Sequence, residues 1–335
     1  MTADPAPLPR TMRAWVATAY GGPEVLALRE MPVPVPRPGE ILIRMQATTV
    51  SSGDRRIRAL DMPRGMRLAG RLALGLRRPR RPVLGAELAG VVAAVGAGVA
   101  RFAPGEAVIA YPGMRQGAHA EFCRMRADGM VVARPAGMAL ETAAALGFGG
   151  TTARDYLRRA GLRAGERVLV IGASGTVGAA LVQLAAAQGA IVTAVTSTAN
   201  LAMALASGAA EAIDYTVRDY TARDIAAGPG CWDIVADAAG ALDFRRALPL
   251  LAEGGRYLAI AGGLGDLLSR PRRGRRCIAG PAAERVDDLL ALVEMAERAV
   301  LRPPIDAVFR FEALPEAHAR ADTGRKRGSL VVTAG

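Results

Sequence analysis

Three glycines, Gly172, Gly175 and Gly178, stand at even spacing directly after the apolar run Val168–Ile171. That run predicts a strand, and the Ala-rich stretch behind it, to about Ala187, predicts a helix. In a strand–turn–helix the glycines let backbone N–H groups approach a pyrophosphate, and the helix N-terminus adds partial positive charge. The turn Gly172-Ala173-Ser174-Gly175-Thr176-Val177-Gly178 is therefore the candidate dinucleotide-binding element. The bland alternative is a glycine-rich turn in a nucleotide-free α/β domain.

The following strand, Ile191–Thr196, ends where NAD-binding domains commonly place an acid for the ribose 2′-OH. Here no Asp or Glu occurs from Ala179 to Ala210, and Ser197, Thr198, Asn200 and Tyr215 offer neutral donors instead. An acid would repel a 2′-phosphate, so its absence permits NADPH; NAD is the alternative. Arg325, Lys326 or Arg327, reaching across from the tail, would supply a cation.

At 335 residues, half of them hydrophobic, the chain is long enough for two domains with a large core. Three scattered cysteines, Cys123, Cys231 and Cys277, form no zinc or disulfide spacing and suit a reducing cytoplasm. The Pro-rich N-terminus lacks the apolar core of a signal peptide. Val168–Val217 carries no Lys or Arg, but its glycines and glutamines break it into short buried elements, so no membrane span is expected. The net charge of +12 is nearly all arginine. Arginines crowd two segments, residues 55–81 and 270–276, which read either as solvated loops or as sites for an anionic partner. Within the first, Arg67–Leu76 reads as an amphipathic helix or a lid.

These residues need elements to position them. Ile41–Ala47, Val91–Val95 and Ala107–Ala110, separated by Gly/Pro turns, predict a β-rich first domain. Helices are expected at Leu140–Ala145 and Thr151–Ala160. Parallel strands are expected at Val168–Ile171, Ile191–Thr196, Ala212–Asp214, Ile234–Ala236 and Arg256–Ile260. Cys277–Gly280 predicts an edge strand, Ala283–Val300 and Leu314–Asp322 helices, and Leu330–Thr333 a final strand.

This order, with the blocks Pro36–Arg58, Pro82–Ala110, Gly117–Phe122, Ala145–Leu157 and Asp322–Thr333, resembles the medium-chain dehydrogenase/reductase superfamily, in its zinc-free quinone oxidoreductase branch. The resemblance implies an α/β protein. A GroES-like β-rich catalytic domain (1–134) precedes a Rossmann doubly wound parallel-sheet domain (135–277), and a segment (278–335) returns to the first. Zinc-dependent members carry a Cys and a His where this chain has Ser51/Ser52 and Gly85-Ala86-Glu87, so no zinc is expected. The resemblance places Ser51, Ser52, Asp54 and Tyr111 at the substrate cleft and Thr151 on the cofactor side. It sets Tyr215 against the 2′-phosphate, with Asn200 replacing the usual basic partner. His119, in an expected strand, and His318, in an expected helix, read as structural. A homodimer through the edge strand is implied.

The expected activity is hydride transfer from NADPH to a quinone or an α,β-unsaturated carbonyl, without zinc. An alcohol or aldehyde dehydrogenase on the same scaffold is the alternative. A non-enzymatic protein of nucleic acid or membrane surfaces stands behind both. Nucleic acid is disfavoured because the arginine clusters lack interleaved aromatics.

Overall fold

A computed structural model describes residues 8–62, 65, 67–217 and 231–334. In the first part run β1 (Thr11–Ala17), β2 (Leu26–Pro32), β3 (Glu40–Val50), α1 (Ser52–Ala59), α2 (Arg67–Leu74), β4 (Leu88–Val95), β5 (Ala107–Ala110), β6 (Phe122–Arg126) and β7 (Val131–Ala133). Then come α3 (Leu140–Ala144), α4 (Gly147–Ala160), β8 (Arg167–Ile171), α5 (Thr176–Ala187), β9 (Ile191–Thr196), α6 (Leu201–Ala206), β10 (Glu211–Asp214) and β11 (Trp232–Asp237). The remainder holds α7 (Phe244–Ala247), β12 (Leu251–Ala259), α8 (Leu264–Leu267), β13 (Arg276–Ala279), α9 (Val286–Glu297), β14 (Ile305–Arg310), α10 (Leu314–Asp322) and β15 (Ser329–Thr333).

Six parallel strands lie in the order β10-β9-β8-β11-β12-β13, the doubly wound arrangement whose crevice opens between β8 and the strand that reverses direction of travel, β11. Val168, Leu169 and Val170 are fully buried because helices cover both faces of a parallel sheet. The other large sheet, β14-β15-β3-β4-β5-β7 with β6 on β3, is antiparallel except for the β14–β15 pair. The returning chain packs α9 against both α4 and β7, and β14 is its first strand to join the first sheet. The fold is the expected α/β combination of a GroES-like and a Rossmann-type domain. Among the described residues, no helix is long and apolar enough to cross a membrane.

Several expectations differ from the structure. The helix expected from Thr151 begins at Gly147 and runs through Gly149 and Gly150. A Cβ on Gly149 would sit 2.6 Å from the Thr176 carbonyl oxygen, and one on Gly150 would sit 2.7 Å from Leu292. These glycines are helical because α4 packs too closely on α5 and α9 for any side chain. His119 is not in a strand: only Ala120 bridges, to Ala14, and β6 starts at Phe122. The His119 ring turns inward, edge-on to His318 with ring centroids 5.4 Å apart. Strands β1, β2 and β14 carry weak or mixed apolar patterns and went unread.

The first domain is tied to the returning tail by a buried charge. Arg58 is fully buried on α1 and donates to both oxygens of Asp322 at the end of α10, at 2.6 and 2.7 Å. Its Nε and Nη1 have no partner. Removing the carboxylate leaves a desolvated guanidinium, which costs about 3–5 kcal/mol. Asp322→Ala should therefore shift the urea midpoint strongly downward, whereas unchanged unfolding would show that Arg58 draws nothing from Asp322.

Candidate active site

The glycine turn is built from three differently used glycines. β8 ends at Gly172, whose φ of +77° no side chain adopts comfortably. The N–H groups of Gly172 and Ala173 both donate to the Val195 carbonyl of β9, at 3.2 and 3.1 Å. Gly178 lies one turn into α5, where a Cβ would be 2.1 Å from the Gly172 carbonyl oxygen, so α5 seats directly on the turn. Gly175 differs from both. Its φ is −78°, and a Cβ there would meet nothing closer than Gly172 O at 3.5 Å. It caps α5 without a side-chain acceptor, leaving the first N–H groups of the helix for an external anion.

The tail closes one side of this turn. Gly328 N donates to the Ser174 carbonyl at 2.8 Å, and Thr176 Oγ1 donates to the Gly328 carbonyl at 2.7 Å. Lys326 Nζ donates to Thr176 Oγ1 at 2.7 Å and to the Gly328 carbonyl at 2.6 Å. Lys326 therefore sits at the first turn of α5. Burial lowers its pKa to about 8, against the opposing pull of Glu87.

Glu87 is a functional candidate that the sequence reading did not single out. It is buried, accepts from the Thr49 hydroxyl, and accepts from Phe148 N at 2.6 Å. One carboxylate thus joins β3 to the first turn of α4. Burial raises its pKa to about 7, although the Thr49 and Phe148 hydrogen bonds oppose this. A Cβ on Gly147 would press on both Glu87 and the Tyr111 ring, at 2.9 Å each. Tyr111 therefore stands beside Glu87. Burial, with the charges of Glu87, Glu284 and Asp54, pushes its pKa up, so the phenol keeps its proton at neutral pH.

Two of the other expected cleft residues serve each other. Ser51 caps α1: its Oγ accepts from Asp54 N at 3.1 Å and donates to Asp54 Oδ2 at 2.6 Å. Asp54 also accepts from Ser51 N at 2.8 Å and from Gly85 N at 3.1 Å. The capping box consumes the serine proton, so Ser51 is not a free donor as expected. Thr151 Oγ1 donates to Gly147 O at 2.6 Å within α4. Ser51 and Ala86 offer neither a thiolate nor an imidazole. No group of His, Cys, Asp and Glu suited to a metal occurs among the described residues. Among the described residues, this donor set does not fit a zinc ion.

At the end of β9, Asn200 Nδ2 donates to Ser197 Oγ at 3.0 Å, leaving the serine its own proton to donate outward. Asn200 Oδ1 is buried without a partner. The sequence reading missed an acid here. β10 pairs with β9 so that Asp214 lies beside Thr196. Its carboxylate accepts from Thr198 Oγ1, from Thr216 Oγ1 at 2.7 Å and from Thr216 N at 2.9 Å, and these bonds hold its pKa below the usual range. Tyr215 follows on an exposed turn. Asp237, at the end of β11, is nearly fully buried and accepts from the N–H groups of Ala239, Gly240 and Leu242, at 2.7–2.9 Å. This loop and the end of β12 line a cavity of about 860 Å³ that also touches Met62 and Leu268.

Comparison with known proteins places this geometry. Residues 37–162 match the alcohol dehydrogenase GroES-like domain, and residues 207–332 match the zinc-binding dehydrogenase domain. A quinone oxidoreductase of Lama guanicoe is 31% identical, over 92% of this chain and 93% of its own. The chloroplastic NADPH-dependent alkenal/one oxidoreductase of Arabidopsis thaliana is 30% identical, over 99% of this chain and 82% of its own. The structure of the quinone oxidoreductase from Coxiella burnetii superposes with a TM-score of 0.83 at 25% identity, covering 97% of this chain and 100% of that one. The order of sheets, the glycine turn and these matches agree: the chain belongs to the medium-chain dehydrogenase/reductase family, in its quinone oxidoreductase-like branch, and is an oxidoreductase by that membership.

Proposed function

We propose that this protein is an NADPH-dependent, zinc-independent oxidoreductase acting on quinones or α,β-unsaturated carbonyls. The open surface at Gly175, between an uncapped helix N-terminus and the Lys326 ammonium, carries the reading. The turn from Gly172 to Gly178 and Lys326 would hold the pyrophosphate. Ser197, Asn200 and Tyr215 would meet the adenosine ribose and its 2′-phosphate, since Asp214 is engaged by three donors. A bound NADPH supplies a hydride. Tyr111 is the proton donor, because Ser51 is committed to Asp54. We further place the enzyme in the cytoplasm, with three free cysteines, as a homodimer through the open edge of β13.

Gly175 and Gly178 should separate binding from folding. Gly175→Ala keeps the melting temperature but weakens NADPH at least about tenfold by blocking the phosphate approach. Gly178→Ala collides with Gly172 O and lowers the melting temperature as well. Equal behaviour of the two variants in calorimetry and titration would remove the assigned roles.

Chelator-treated protein should oxidise NADPH with a naphthoquinone and with a simple enone. Tyr111→Phe should slow the enone by about 10–100-fold and the quinone less, because forming an aromatic product needs less acid assistance. Failure to turn over either substrate class sinks the proposal.

Lys326 is an ammonium below about pH 8 and neutral above it. NADPH affinity should therefore weaken as pH rises through about 8, and Lys326→Gln should bind weakly with no such break. Titration calorimetry across this range decides; a flat wild-type profile rules out the pairing.

A further inference from the structure

The arginine-rich segment after α1 takes no part in the chemistry above, yet it has the most unusual surface of the molecule. Leu68 and Leu72, four residues apart on one face of α2, are 74% and 58% exposed, and Leu76 just beyond is 63% exposed. Burying apolar side chains is the ordinary outcome of folding, so an exposed row of leucines marks a surface that meets something else. Arg71, Arg77, Arg78, Arg80 and Arg81 are exposed beside it. No Asp or Glu occurs between Asp61 and Glu87. Among the described residues, none of these arginines pairs with a carboxylate.

The segment is held to the body. Tyr20 Oη donates to the Gly75 carbonyl at 2.8 Å, and Arg80 N donates to the Leu74 carbonyl at 2.6 Å. Its inner face rests on Met62, whose side chain lies where a Cβ on Gly70 would fall. Met62 also lines the cavity at the ends of β11 and β12, and Leu268, 70% exposed, lines its other side. The leucine row thus lies on a helix that packs against a residue of the cavity wall.

We propose that this segment docks the protein on an anionic lipid bilayer, with Leu68, Leu72 and Leu76 entering the acyl boundary and the flanking arginines meeting headgroup phosphates. Charge complementarity selects this occupant. A second copy of the chain would set arginine against arginine. A single-stranded nucleic acid would call for stacking aromatics, and residues 62–86 contain no Phe, Tyr or Trp. Leucine and arginine together match the interfacial helix, whose binding combines apolar burial with attraction to anionic lipid. The inference is independent of the substrate, since membrane binding is read without turnover.

The test is co-sedimentation of the full chain with phosphatidylcholine vesicles, with and without a third of phosphatidylglycerol. The anionic vesicles should bind at least about tenfold more tightly, and high salt should weaken the binding. The double variant Leu68→Asp/Leu72→Asp, altering only exposed side chains, should lose binding while keeping its thermal melt. Arg77→Gln/Arg78→Gln should weaken binding and flatten the salt dependence. Equal binding to neutral and anionic vesicles overturns the proposal. So does full binding by the leucine variant, which would mean charge adsorption alone, or binding to a generic RNA as tight as to the anionic vesicles.

Discussion

Backbone meets backbone at the glycine turn, and that close approach organises both domains. Gly178 brings α5 onto the carbonyl of Gly172, Gly149 brings α4 onto the carbonyl of Thr176, and Gly328 lays the tail along Ser174. A single methyl at Gly178 or Gly149 would force two elements apart. Because all three contacts converge on one turn, the helix N-terminus, the tail cation and the first turn of α4 occupy one small volume. Dinucleotide sites depend on such backbone proximity, since N–H groups reach an anion only where side chains are missing.

Around this turn the charges are few and desolvated. Glu87 is shifted upward and Lys326 downward by burial, and each partly offsets the other's shift. Glu87 also joins β3 to α4 through Thr49 and Phe148, so the charge that borders the cleft is also a structural link between the sheets. Asp54 and Arg58 work differently. Asp54 is consumed by the cap of α1, and Arg58 by Asp322, which fixes α1 against α10. The first domain therefore carries buried charges for position, while Tyr111, beside Glu87, keeps its proton at neutral pH.

The end of β9 shows how strand pairing changes what a chain-local pattern implies. No acid lies near Thr196 in sequence, yet Asp214 lies beside it in the sheet. Its oxygens are engaged by Thr198 and Thr216, so the negative charge is screened by local donors and Ser197 remains the outward hydroxyl. Carboxylate and hydroxyl stand at one rim, the first engaged by three donors and the second accepting from Asn200.

Most of the fold was legible in local patterns. Continuous apolar runs marked the parallel strands, glycines marked the turn, and β5, β9 and α10 fall on their expected residues. The turn and its helix were equally legible, because their chemistry lies within seven consecutive residues. Edge strands with mixed exposure were not, nor was the start of α4, whose glycines look like helix breakers until α5 and α9 are packed against them. The partners of single side chains were hidden for the same reason. Glu87 finds Thr49 and Phe148, Asp214 finds Thr198, and Lys326 finds Thr176, across separations of 16 to 150 residues. By itself the sequence determined the family, the two-domain order and the position of the glycine turn, since periodicity and backbone freedom are local properties. Only the tertiary structure decided that Ser51 is spent on a cap, that Lys326 serves the helix N-terminus and that an acid stands beside β9. Burial and hydrogen-bond partnership depend on which distant segments come into contact.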